Sequence, residues 1–170
     1  MKVILEDYNP SWPKLYEQEK ELILITCGDK IHSIEHIGST SVPGLGAKPI
    51  IDILLGVTEL QHIIDLIPAI ESLGYKYRSD FEHTMPYRRY FSKPDKVHIH
   101  SVEITSEFWK RHMNFRNFLR THPQTRDDYN KLKLKLAEQD WDDRNDYAYA
   151  KTEFIQTIEK TALKFFEKNK

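Results

Sequence analysis

Apolar and polar positions alternate along this chain with two distinct periods. In "NPSWPKLYEQEKELILITCG" the apolar residues Trp12, Leu15, Tyr16, Leu22 and Ile23 recur at helical spacing. Ser11 is the expected N-cap, Pro13 falls in the first turn and Gly28 stands where a helix stops. "IHSIEHI" reads as a short strand and "KPIIDILLGV" as a longer one, apolar at both parities, as in a central strand covered on both faces. Thr58 and Gln61 form a capping-box pattern ahead of "ELQHIIDLIPAIESLG", where Pro68 is expected to kink or divide the helix. "GYKYRS" returns to extended structure, and "MPYRRYFSK" and "KVHIHSVEI" flank "KPDK", which reads as a hairpin turn. From Ser106 the period is helical to the end. "SEFWKRHMNFRNFLRTHP" stops at His122-Pro123, "TRDDYNKLKLKLAEQ" begins at a Thr125 cap, and "DRNDYAYAKTEFIQTIEKTALKFFEKNK" closes the chain. The pattern predicts an α/β (α+β) fold in one domain, residues 1–170. A small mixed sheet with an N-terminal helix and one crossover helix occupies 1–105, and three C-terminal helices occupy 106–170.

Length and composition narrow the function classes. A chain of 170 residues builds its own core without staples. It has no apolar run of membrane-spanning length, and "MKVILEDYNPSWPK" lacks the apolar stretch of a signal peptide. The single cysteine, Cys27, excludes an internal disulfide and a multi-cysteine zinc site. A cytoplasmic protein is the expectation. Lys and Arg number 25 against 26 Asp and Glu, so extended nucleic-acid binding, which needs a basic excess, is not expected. One small phosphorylated ligand needs only a local positive pocket.

The candidate chemistry starts at "EHIGSTSVPGLGAKPIIDILL". Gly38 permits a sharp turn, and Ser39, Thr40 and Ser41 offer hydroxyls and backbone N–H groups to an anion. Lys48 adds a positive charge. Asp52, inside an otherwise apolar strand, needs a partner or a metal, and Mg²⁺ takes one or two carboxylates plus substrate phosphates. Gly, Pro and Ser also cluster in ordinary turns, and the spacing is not that of a P-loop.

A second constellation is "HIH". His98 and His100 share one strand face, so with Asp52 they would make a two-histidine, one-carboxylate set suited to a transition metal. Glu103 has the opposite parity and should point away. His36, just before the Gly-Ser turn, is a candidate for the same pocket. Arg88 and Arg89 are adjacent and face opposite ways, so one of them at most enters the site; Arg89 is the one assigned to phosphate. In the C-terminal helices Arg116 and Arg120 share a stripe, and Lys133 and Lys151 stand on helical segments. A basic stripe is ordinarily a solvated flank; the alternative is a lid that supplies cations to an anionic ligand.

Over "EHIGSTSVPGLGAKPIIDI", and through "YNPSWP", Gly74-Tyr75, "HIH", "FRNFLR", "YNKLKLKLA" and "YAYAKTEFI", the chain resembles the GrpB family, which is assigned to the nucleotidyltransferase (DNA polymerase beta-like) superfamily. The resemblance implies a nucleotidyltransferase-type sheet. In such proteins a Gly-Ser turn holds the nucleotide triphosphate, and two carboxylates, one residue apart, hold two metal ions. Gly38-Ser39 and Asp52 occupy matching places, making Ser39 and Asp52 the implied catalytic pair, with Mg²⁺ or Mn²⁺ as cofactor. Arg116, Lys133 and Lys151 fall at basic positions of the family pattern. The second carboxylate is replaced by Leu54. The leading expectation is therefore a metal-dependent nucleotidyltransferase-like protein with an unknown acceptor. The alternatives are a phosphoester hydrolase using Zn²⁺, Mn²⁺ or Fe²⁺, and a non-catalytic accessory module near coenzyme A synthesis, since the family also resembles the extra domain fused to some dephospho-CoA kinases.

Overall fold

The computed structural model describes residues 2–94 and 96–169. Five strands form one mixed sheet: β1 (Ser33–Ile37), β2 (Ile51–Val57), β3 (Lys76–Tyr77), β4 (Arg88–Lys93) and β5 (Val97–Glu103), in the order β1-β2-β5-β4-β3. The central pair, β2 and β5, is parallel, and the other pairings are antiparallel. Parallel pairing demands a crossover, which α2 (Gln61–Ser72) begins and the β3–β4 hairpin completes. The "KPDK" turn between β4 and β5 is closed by Lys96 N–H donating to Lys93 O; its Asp95 lies outside the described residues.

The two faces of β2 explain its double apolar pattern. Ile51, Ile53, Leu55 and Val57 pack with Ile99 and Phe91 against α1 (Ser11–Cys27) and α2, through Trp12, Tyr16, Ile23, Ile63, Leu66 and Ile70. On the other face Leu54 joins Ile37, Val102, Phe108, Trp109 and Met113 beneath α3 (Glu107–Thr121). Helix α3 therefore covers the Leu54 end of that face. The Asp52 end is left to α4 (Pro123–Ala137), α5 (Arg144–Tyr149) and the start of α6 (Thr152–Lys168).

The structure corrects several local expectations. Asn9, not Ser11, caps α1: its Oδ1 accepts from Ser11 N–H, because Pro10 already has helical dihedrals. The Thr58/Gln61 capping box does not form; Leu60 precedes the helix and its N–H donates to Glu103 Oε1, a partner 43 residues away. Pro68 sits inside α2 without dividing it. Helix α4 starts at Pro123, which has no N–H to leave unsatisfied, so Thr125 is not its cap. Among the described residues the C-terminal part holds four helices rather than three, because the last predicted helix breaks at Ala150-Lys151.

Gly56 is where α3 seats on β2: a Cβ there would come within 2.7 Å of Trp109 Cζ3 and 3.0 Å of Ile104 Cδ1. Gly56→Ala should therefore lower unfolding stability by about 1–3 kcal/mol, as overpacking does. Urea denaturation followed by tryptophan fluorescence checks this, and an unchanged midpoint would contradict the seating of α3 described here.

Candidate functional site

The antiparallel pairing of β1 with β2 sets Ile37 opposite Asp52, so the chain leaving β1 turns directly over that carboxylate. Gly38 has φ +73°, and a Cβ on it would lie 2.6 Å from Asp52 Oδ2. No other residue fits there without moving the carboxylate. Residues Ser39–Ser41 form a single 3₁₀ turn, closed by Ser41 N–H to Gly38 O (3.1 Å) and Val42 N–H to Ser39 O (3.2 Å). The N–H groups of Ser39 and Thr40 take no part in these two bonds.

Parallel pairing of β2 with β5 sets His98 beside Asp52 and His100 one step on. Asp52 Oδ1 lies 3.4 Å from His98 Nδ1 and 3.3 Å from His100 Nε2. Burial pushes the Asp52 carboxyl up, but hydrogen bonds from His100 and His98 outweigh it and hold it well below the usual carboxylate range. On the far side of His100, Arg88 Nη1 lies 3.1 Å from Nδ1. Arginine can only donate, so His100 Nδ1 accepts and its proton sits on Nε2, aimed at Asp52. That tautomer leaves no lone pair on Nε2 for a metal. The two-histidine, one-carboxylate set expected for a transition metal therefore does not fit, and no group of three metal-ligating side chains is arranged to hold an ion among the described residues. Asp52 alone, with a ligand's phosphate oxygens, satisfies what Mg²⁺ or Mn²⁺ asks of the protein.

Opposite Asp52 stands a wall of lysines. A cavity of about 410 Å³ is lined by Ser39, Thr40, Lys48, Asp52, His98, Lys133, Tyr147 and Lys151, with Leu5, Ala47, Ile50 and Ala148 as its apolar floor. Lys133, on α4, is 2 % exposed; its Nζ donates to the Gly46 carbonyl and lies 3.0 Å from Ser39 Oγ. Burial, helped by Lys151, pushes its amine down to about 7. Lys151, at the break between α5 and α6, is lowered to about 8 by burial and by Lys48, against a smaller opposing pull from Asp52. Both Lys48 and Lys151 lie over the Tyr147 ring, at 4.9 and 4.3 Å from its centroid. Three ammonium groups facing one carboxylate make a site suited to a polyanion.

The remaining predicted residues lie behind the turn. Thr40 Oγ1 donates to Ile50 O and accepts from His36 Nε2–H at 3.0 Å, and Ser41 Oγ donates to Gly38 O. Their hydroxyls are thus committed to the turn itself. His36 is buried and stacked on Tyr16, and burial, with Arg120 beside it, pushes it down to about 4. Arg116 pairs with Glu35 at 2.7 Å and donates to His36 O, while Arg120 donates twice to Ser41 O. These two arginines grip the carbonyls on either side of Gly38-Ser39 and do not line the Asp52 cavity, so α3 supplies no cation to a lid. Arg89 is turned away too, donating to Pro86 O with Glu82 3.6 Å off; its neighbour Arg88 shares the face of His100 and stands behind that ring. Glu103 points away, as its parity requires. Sequence reasoning missed Tyr147 and Tyr129, because a buried tyrosine on a helix reads as packing. At Leu54, the place of the absent carboxylate is filled by the apolar cluster under α3.

Two measurements probe this geometry. Gly38→Ala should displace Asp52 and cost about 1 kcal/mol or more, since it adds both a clash and left-handed backbone strain; an unchanged melting temperature would contradict the contact. Asp52 is held low in the folded state, so its stabilisation is complete above the ordinary carboxylate value and fades as pH falls through and below about 4. The fall in unfolding free energy from pH 5 to pH 3 should accordingly be shallower in Asp52→Asn than in wild type, by chemical denaturation at each pH; parallel curves would contradict it.

Comparison with known proteins places the chain. The pattern of the GrpB protein family matches residues 2–161. A UPF0157 protein of Halalkalibacterium halodurans is 42% identical over 165 residues, covering 94% of this chain and 82% of that one. The UPF0157 protein YqkA of Bacillus subtilis is 36% identical; the match covers 96% of this chain and 48% of that longer one. A stretch of 70 residues, 39% of this chain, is 36% identical to 17% of a dephospho-CoA kinase of Mycobacterium bovis. The crystal structure of the conserved protein GrpB from Enterococcus faecalis superposes with a TM-score of 0.87 at 37% identity, covering 96% of this chain and 99% of that one. With its sequence matched nearly end to end and its fold shared, the chain belongs to the GrpB family.

Proposed function

We propose that this protein binds a nucleotide or a related phosphorylated small molecule in the cavity between the Gly-Ser turn and α4–α6. The observation that carries this reading is the gathering of Lys48, Lys133 and Lys151 around one cavity with a single carboxylate. Burial disfavours the charge of Lys133 and Lys151, and a neighbouring lysine lowers each a little further, so an anion bound in the cavity would compensate them. Lys48 and Lys151 face the phosphates, Ser39 offers its hydroxyl, and the Tyr147 ring lies under both lysine heads. Divalent Mg²⁺ or Mn²⁺ on Asp52 would neutralise charge at a transferred phosphorus. Nucleotidyl transfer to an acceptor hydroxyl is the reaction class this arrangement is nearest to, run with one metal-binding carboxylate in place of two.

A second reading, a non-catalytic module that binds the phosphorylated ligand for a partner enzyme, has two observations in its favour. The second carboxylate position is sealed by Leu54 and α3, and the short likeness to a dephospho-CoA kinase points to coenzyme A chemistry as the setting.

Isothermal titration with ATP and with inorganic pyrophosphate, with and without Mg²⁺, tests the binding. Binding is expected without metal, weakening as pH rises through about 8 because the Lys151 amine then loses its charge. Lys48→Ala and Lys151→Ala should each weaken it roughly tenfold, the value of one charge-assisted hydrogen bond. No heat with either ligand at millimolar concentration would end the proposal. Asp52→Ala should remove the increment due to Mg²⁺. Transfer from labelled ATP that is absent in both wild type and Asp52→Ala, despite equal binding, would select the accessory reading.

A further inference from the structure

We infer that Ser39 and Lys133 form a nucleophile–base dyad, in which Ser39 Oγ attacks the phosphorus of the bound ligand and Lys133 takes the serine proton. The inference rests on the reading of the cavity as a site for a phosphorylated ligand, and it assigns Ser39 a covalent role beyond contact with phosphate.

Four observations carry it. Lys133 Nζ donates to Ser39 Oγ at 3.0 Å, within the range for direct proton transfer, and with the amine neutral the same contact runs from Ser39 O–H to Nζ. Lys133 is almost fully buried, and no carboxylate is paired with it among the described residues; its other contacts are the Gly46 carbonyl and the Tyr129 ring, 4.9 Å to the centroid. A lysine that only locked the turn would be best served by a charged amine with a counter-ion. A base is best served by what is seen here, an amine whose charge burial disfavours. Ser39 itself is aimed by a turn with little freedom: Gly38 is pinned on Asp52, and Arg116 and Arg120 clamp the flanking carbonyls. Finally, Tyr147 lines the same cavity and is 98 % buried by its 2 % exposure, yet its hydroxyl has no hydrogen-bond partner among the described residues. A buried hydroxyl left unpaired is costly, and this one belongs to a residue of the cavity wall.

The step balances without a further reagent. The Ser39 Oγ–P bond forms as the bond from phosphorus to the leaving oxygen breaks. The serine proton passes to Lys133 Nζ and from there to the leaving oxygen. Water or an acceptor hydroxyl then attacks the phosphoseryl ester, its proton passing to Lys133 Nζ; as the Oγ–P bond breaks, Lys133 returns that proton to Ser39 Oγ and the serine is restored. Lys48 and Lys151 keep the charge that holds the phosphates while Lys133 serves as base. Lys48, Asp52, His98, Tyr129, Tyr147 and Lys151 are the charged and titratable groups around the dyad.

A neutral fluorophosphonate tests the dyad on the full chain, since it presents an electrophilic phosphorus without needing the lysines' charge. Wild type should gain one adduct with loss of fluoride, mapped to Ser39 by peptide mass spectrometry, and the rate should climb as pH rises through about 7 and then level off. Ser39→Ala should remove the adduct. Lys133→Arg and Lys133→Met, confirmed as folded by circular dichroism, should slow it about 10²–10⁴-fold, the worth of a general base. No adduct in wild type, an adduct on another residue, or unchanged rates in both folded Lys133 variants would each overturn the dyad, whatever calorimetry with ATP finds. An adduct on Ser39 in a protein that binds neither ATP nor pyrophosphate would overturn the phosphorylated substrate and keep the nucleophile.

Discussion

The close approach of Gly38 to Asp52 is the constraint on which the site depends. Because β1 and β2 are antiparallel neighbours, the chain has one residue in which to clear the carboxylate, and only a residue without a side chain does so. From that contact the rest follows in order. The turn after Gly38 aims Ser39 across the cavity, Thr40 and Ser41 close the turn on itself, and Arg116 and Arg120 fasten its carbonyls to α3. The other carboxylate oxygen is claimed by β5, where Arg88 fixes the His100 tautomer that donates to it. Sheet register, turn geometry and proton position are thus settings of one contact.

Electrostatics divides the cavity into unlike halves. On the sheet side Asp52 is supported by donors and stays charged. On the helix side Lys133 and Lys151 face it, and no salt bridge pairs either of them among the described residues. Such a site costs stability when empty, a familiar feature of functional centres, and the fold supports it with a well-filled core on the opposite sheet face. Among the described residues no helix is long and apolar enough to cross a membrane.

Much of this was legible in the amino-acid sequence, for reasons that differ by residue. The strands and main helices show in their periodicity, and Asp52 stands out because an acid in an apolar strand must have a purpose. The nearness of Lys133 and Lys151 to Asp52 cannot be read from spacing; it needed the family likeness. Where reading failed, a distant partner had overruled a local rule. The Thr58 capping box yielded to Glu103, and the basic stripe of α3 yielded to backbone carbonyls that a sequence does not display. The break at Ala150-Lys151 has no glycine or proline to mark it, and the unpaired Tyr147 hydroxyl has no signature at all.

Leu54 carries a consequence for anyone who would redesign this centre. A carboxylate placed there would not join Asp52 in solvent but would be driven under Phe108, Trp109 and Met113, into an apolar cluster. A two-metal strand therefore lies more than one codon away: α3 would have to be lifted from the sheet before an acid at that position could do anything but unfold the protein.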